Sequence, residues 1–153
     1  MVRTVLTVNS GSSSLKVSLL EQKLDDCLNP DRILTAVAER LGQDEAFLNI
    51  VFDIKYAKST NSTGTHVSDC HSGHKIRNSI KQARMTHGQA LVNILQVIRD
   101  LHYESDSTSL GLLDTIVAVG HRVVHGGQKF ISSVIVDDEV INEIESLSHL
   151  APL

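Results

Sequence analysis

Two short apolar runs flank a turn built almost wholly of small and polar residues, and this arrangement limits how the first twenty residues can fold. Arg3-Thr-Val-Leu-Thr-Val8 is β-branched and apolar, Asn9-Ser-Gly-Ser-Ser-Ser14 follows at once, and Leu15-Lys-Val-Ser-Leu-Leu20 then alternates apolar with polar residues. Residues two apart share a face of an extended chain, and Asn, Gly and Ser punctuate strand ends. The spacing predicts a strand over 3–8, a tight turn, and a second strand over 15–20, with both strand ends converging on the turn.

Within residues 9–16 the chain concentrates one amide, one glycine, four hydroxyls and the Lys16 ammonium. Such a turn can aim backbone N–H groups and hydroxyls at an anion, and Gly11 lets the backbone approach it closely. Ser14 and Lys16 fall on one face of the second strand, a hydroxyl and a point charge side by side. The G-x-x-x-x-G-K-[ST] spacing of a nucleotide P-loop is absent. On composition alone the same residues suit a solvated hairpin turn better, since Gly, Ser and Asn dominate turns.

Further along, Ile33–Leu41 and Phe47–Ile54 read as strands, the first also compatible with a short helix by pattern alone. Tyr56–Lys75 is nearly devoid of apolar side chains and is expected to be a mobile excursion, because it buries too little to offset its ordering entropy. His66, Cys70, His71 and His74 lie within it, but their spacings match no familiar zinc knuckle. From His87 to Tyr103, Ala90, Leu91, Ile94, Leu95, Ile98 and Leu101 recur every three or four residues and predict an amphipathic helix. Leu113–Val119 is nearly continuous in apolar residues and reads as a central strand buried on both faces. Asp137-Asp-Glu139 suits the positive end of a second helix carrying Val140, Ile141, Ile144 and Leu147. One mixed α/β domain over 1–153 is expected.

Composition excludes several classes. Apolar residues make up 41% and charged residues 21%, the balance of a folded globular chain. A net charge of -4 supplies no general basic surface for nucleic acid, and aromatics, at 3%, are too few for a base-stacking platform. No apolar run approaches the ~18 residues of a bilayer span, and 1–6 lacks the apolar core of a signal peptide, so a cytoplasmic protein is expected. Two cysteines, Cys27 and Cys70, make no disulfide framework.

Gly120-His-Arg-Val-Val-His-Gly-Gly127 follows the predicted central strand, where ligands gather in α/β sheets. His121 and His125 are four apart, but the Gly pair disfavours the helix a zinc motif needs. If 121–125 is extended, Arg122 and Val124 share a face. A guanidinium there can hold a carboxylate or phosphate bidentately while Val124 floors a small apolar pocket. Pairing of Arg122 with a loop carboxylate for stability would account for the residue equally well.

Taken together, Val8-Asn-Ser-Gly-Ser-Ser-Ser-Leu-Lys16, Val119-Gly-His-Arg-Val-Val-His-Gly-Gly127 and Ala151-Pro-Leu153 resemble three motifs of the acetate kinases, in order and over essentially the whole chain apart from 56–75. The resemblance implies the mixed-sheet, ribonuclease H-like N-terminal domain shared with sugar kinases, actin and the Hsp70 ATPase. It implies ATP-dependent phosphoryl transfer to acetate, giving acetyl phosphate and ADP. Asn9 would help hold Mg2+, while Ser12, Ser14 and Lys16 would line the phosphate side. Arg122 would act as the catalytic and substrate-gripping guanidinium, and Val124 and Leu153 would line the methyl pocket. Members are usually homodimers. Gln128 stands where the family commonly has Glu. Members also continue past Leu153 through an acidic catalytic residue, a second histidine and arginine, and the adenosine-binding domain, so this polypeptide alone is expected to lack turnover. A non-catalytic phosphate-binding remnant or interaction module, or a propionate or butyrate kinase, are the alternatives.

Overall fold

Alternating burial along each of the first four strands builds a sheet with one dry face, as the period-two patterns require. The computed structural model describes residues 2–22, 29–53, 75–105 and 108–150. Within it, β1 (Thr4–Ser10), β2 (Ser14–Glu21), β3 (Asp31–Glu39), β4 (Phe47–Asp53) and β5 (Lys75–Lys81) form successive antiparallel pairs. Their register stacks Val8, Val17, Ala36 and Ile50 across the dry face, with Leu6, Leu19, Leu34 and Phe52 in the next row. All eight are buried, and they account for much of the apolar core.

Helix α1 (His87–Asp100) covers this core with Ala90, Ile94 and Ile98, each fully buried. Thr86 starts it through a capping box: its hydroxyl accepts from the Gln89 N–H while the Gln89 side chain accepts from the Thr86 N–H. The helix ends three residues before the predicted Tyr103. Leu101 turns into extended backbone, with its N–H bonded to the Val97 and Ile98 carbonyls, and its side chain is buried in the core. Strands β6 (His102–Ser105) and β7 (Thr108–Gly111) follow as a separate antiparallel pair, then a 3-10 turn over Leu112–Thr115.

Strand β8 (Ile116–Arg122) completes the sheet in the order β5-β4-β3-β2-β1-β8. This corrects the expectation of a central strand buried on both faces. Among the described residues β8 has a neighbour on one side only, and Val117 and Val119 are 49% and 62% exposed. A continuous apolar run reports what a strand can bury, not whether neighbours are there to cover it. The start of β8 is held firmly nonetheless: Thr115, 2% exposed, meets the fully buried Thr4 of β1 hydroxyl to hydroxyl at 3.0 Å.

Strand β5 had no sequence signal, because Lys75-Ile-Arg-Asn-Ser-Ile-Lys81 places only Ile76 and Ile80 on the apolar side of an otherwise polar edge strand. The expected excursion over Tyr56–Lys75, with its histidines and cysteine, lies outside the described residues except for Lys75, which begins β5, and the terminal motif over 151–153 also lies outside them. No helix among the described residues is long and apolar enough to cross a membrane.

The chain divides into two compact units, 1–121 and 122–153. In the second, α2 (Asp138–Ser146) begins where the acidic run predicts, with the Asp137 carboxylate accepting from the Val140 N–H at 2.9 Å. Val140, Ile144 and Leu147 form its half-buried stripe.

Candidate functional site

The first candidate site is the β1–β2 turn. Asn9 pairs with Lys16 across the hairpin and Ser10 with Leu15, which leaves Gly11 and Ser14 to close a two-residue loop through a 2.8 Å bond from the Gly11 N–H to the Ser14 carbonyl. Leu15, Val17 and Leu19 turn to the core, so Ser14 and Lys16 turn to the opposite face, and Asn9 as the cross-strand partner of Lys16 joins them. An amide, a hydroxyl and an ammonium thus occupy one face at the end of a rigid hairpin, with Lys16 exposed and Asn9 and Ser14 half-buried. Ser12 sits exposed at the tip.

Three bonds hold the turn backbone from different directions. Besides the Gly11–Ser14 bond, the Leu41 N–H donates to the Ser13 carbonyl at 2.9 Å, and Nε2 of His87, the first residue of α1, lies 2.7 Å from the Gly11 carbonyl. A Cβ on Gly11 would come within 2.9 Å of the Ser14 hydroxyl, so a larger residue would push that hydroxyl aside. His87 escaped the sequence reading. The available signal was Thr86-x-x-Gln89, a capping box that fixes His87 at the first helical position.

The second candidate segment follows β8. Arg122 is the last residue of the strand and is exposed, while Val124 is half exposed in the irregular stretch that follows. Regular extended backbone therefore ends at Arg122, and, contrary to expectation, strand periodicity does not put Val124 on the same face as Arg122. A glycine pair then shapes the turn that follows. Gly127 adopts φ +63°, and a Cβ there would approach Leu147 Cδ1 to 2.8 Å; one on Gly126 would collide with the Phe130 carbonyl. The Gly127 N–H donates to Nδ1 of His125 at 2.9 Å, so this histidine serves the turn. No group of three or more His, Cys, Asp or Glu side chains able to hold a metal occurs among the described residues. Leu153 lies outside them.

A cavity of about 670 Å³ opens beside β4 and β5, lined by Arg40, Asp44, Asn49, Ser79 and Lys81 among others, and includes none of the candidate residues. Arg40 and Asp44 are engaged there in exposed ion pairs with Glu45 and Arg84, which are worth little in water.

The family model described as "Acetokinase family" matches residues 4–153. The chain belongs to the acetokinase family. It is 37% identical over 149 residues to acetate kinase 2 of Vibrio cholerae and 37% identical over 149 residues to the acetate kinase of Thermosipho africanus. In both cases the match covers 97% of this chain and 29% of the relative. The crystal structure of Porphyromonas gingivalis acetate kinase superimposes with a TM-score of 0.65 at 30% identity, covering 99% of this chain and 31% of that one. A propionate kinase from Francisella tularensis shares the fold, with a TM-score of 0.62 at 24% identity. The chain therefore spans about three-tenths of the length of these acetokinase relatives, and its sheet and helix match the N-terminal part of the acetate and propionate kinases.

Proposed function

We propose that this acetokinase chain supplies the phosphoryl-binding portion of an enzyme that transfers phosphate between ATP and a short carboxylate, acetate in the first instance. The observation that carries the reading is the convergence of Asn9, Ser14 and Lys16 on one face at the end of a backbone-clamped hairpin.

Phosphoryl transfer asks mainly for in-line positioning and neutralisation of charge on the transferring oxygens. The Lys16 ammonium supplies one positive charge without a bidentate constraint, and the Ser12 and Ser14 hydroxyls donate to phosphate oxygens that Gly11 allows close to the backbone. Arg122 grips the carboxylate or the phosphoryl group as a planar fork, with Val124 and Leu153 lining the methyl pocket. Acetate needs no strong general base, since it is already ionised at neutral pH. Asn9 offers one hard oxygen donor with no carboxylate cluster near it among the described residues, which suits Mg2+ only when the ion arrives on the nucleotide phosphates. Bound in that way, Mg2+ would neutralise phosphate charge. Full-length activity, a homodimer and a cytoplasmic setting are part of the same proposal.

The test is calorimetric titration of the purified chain with acetyl phosphate. Lys16→Ala and Arg122→Ala should each weaken binding about tenfold, as expected for loss of one charge-assisted contact. Turnover of acetyl phosphate with ADP should be absent from the 153-residue chain. An affinity in either variant equal to that of the parent chain, or turnover by the chain alone, contradicts the proposal.

A further inference from the structure

One hydrogen bond joins the start of α1 to the β1–β2 turn. His87 Nε2 lies 2.7 Å from the Gly11 carbonyl across 76 residues of sequence, in a partly buried setting. A carbonyl oxygen can only accept, so Nε2 carries the proton and donates it. Because His87 is the first residue of a capped helix whose Ala90, Ile94 and Ile98 are buried against the sheet, its backbone is anchored to the core. Gly11 has neither a side chain nor a Cβ to anchor it, and its N–H is already committed to Ser14. The histidine thus fixes the orientation of the peptide plane between Gly11 and Ser12, the plane that also carries the Ser12 N–H.

We infer that His87 is a positioning residue which holds the Gly11–Ser12 peptide so that the turn's N–H groups are pre-aimed at a phosphoryl oxygen. This rests on the phosphoryl-binding reading of the turn and adds to it the residue that sets its geometry. Pre-organised donors bind without the cost of ordering a loop, whereas a glycine-containing turn left free would have to be ordered by the ligand.

Two variants of the 153-residue chain, set beside the parent, separate the possibilities: His87→Phe, which keeps a ring and removes the donor, and His87→Gln, whose amide can donate. Amide exchange of Gly11 and Ser12 is followed by NMR, and inorganic phosphate is titrated in parallel. The expected result is at least about tenfold faster exchange at Gly11 and about fivefold or greater weakening of phosphate in His87→Phe, with both substantially restored in His87→Gln and exchange of Ile94 unchanged in all three. Unchanged Gly11 exchange in His87→Phe overturns the inference. So does faster exchange with unaltered phosphate affinity, which would make His87 a structural strut only. If the parent itself binds no phosphate, the phosphoryl-binding reading fails, and the aiming role built on it falls too; the exchange data then still report separately whether His87 orders the turn.

Discussion

The buried Thr4–Thr115 contact yields a prediction with a definite sign. Thr115 donates its single hydroxyl proton to the Leu112 carbonyl at 2.7 Å, so the proton in the 3.0 Å contact with Thr4 must come from Thr4. The two hydroxyls are therefore unequal. Thr4→Val removes one neutral hydrogen bond and leaves Thr115 still bonded, a cost of about 1 kcal/mol. Thr115→Val removes the bond to Leu112 and strands the Thr4 hydroxyl in a fully buried position, at about 2–3 kcal/mol. The double variant no longer contains the stranded donor, so it should be no less stable than Thr115→Val alone. The coupling energy is then about 1 kcal/mol or more, of the size that contacting residues show. Urea unfolding followed by circular dichroism, with β8 amide exchange as a local check, gives all four corners of the cycle. Each kcal/mol should lower the melting temperature by about 2–4 °C for a chain of this length. Strict additivity of the two single costs would refute the donor assignment and the anchoring of β8 to β1 by these hydroxyls.

Two further outcomes follow from the packing. Ile94→Ala at the centre of the α1 interface, where the side chain is fully buried, should cost about 2–5 kcal/mol, measured as the shift in urea midpoint at constant slope. Gly127→Ala meets both a left-handed backbone and Leu147, and should destabilise residues 122–150 by about 1–2 kcal/mol or more, seen as faster exchange at the Leu147 amide while Ile94 in the other unit is unaffected.

The legible parts of this fold are those where local chemistry and burial agree. The β1–β2 hairpin and the α2 start were readable because period-two alternation and acidic capping both point to what forms. Ile33–Leu41 was ambiguous by pattern, and the cross-strand burial of Leu34, Ala36 and Ala38 decided it as a strand. Strand β5 was not legible, since its only apolar residues, Ile76 and Ile80, sit among charges that an edge strand tolerates. The exposure of β8 was misjudged for the opposite reason: its valines advertise burial that depends on neighbours. In the candidate site, the shared face of Ser14 and Lys16 could be read from alternation, and Asn9 joins them only through the hairpin register. The capping box places His87 at the start of α1, but its contact with a backbone carbonyl 76 positions away leaves no side-chain signature.

Amide chemical-shift mapping of the chain with acetyl phosphate tests the central claim most directly. Perturbations should concentrate over residues 9–16, report a single dissociation constant, and need about tenfold more ligand in Lys16→Ala without change elsewhere in the sheet. Spectra that stay unchanged at residues 9–16, or that respond identically with and without Lys16, would contradict the account.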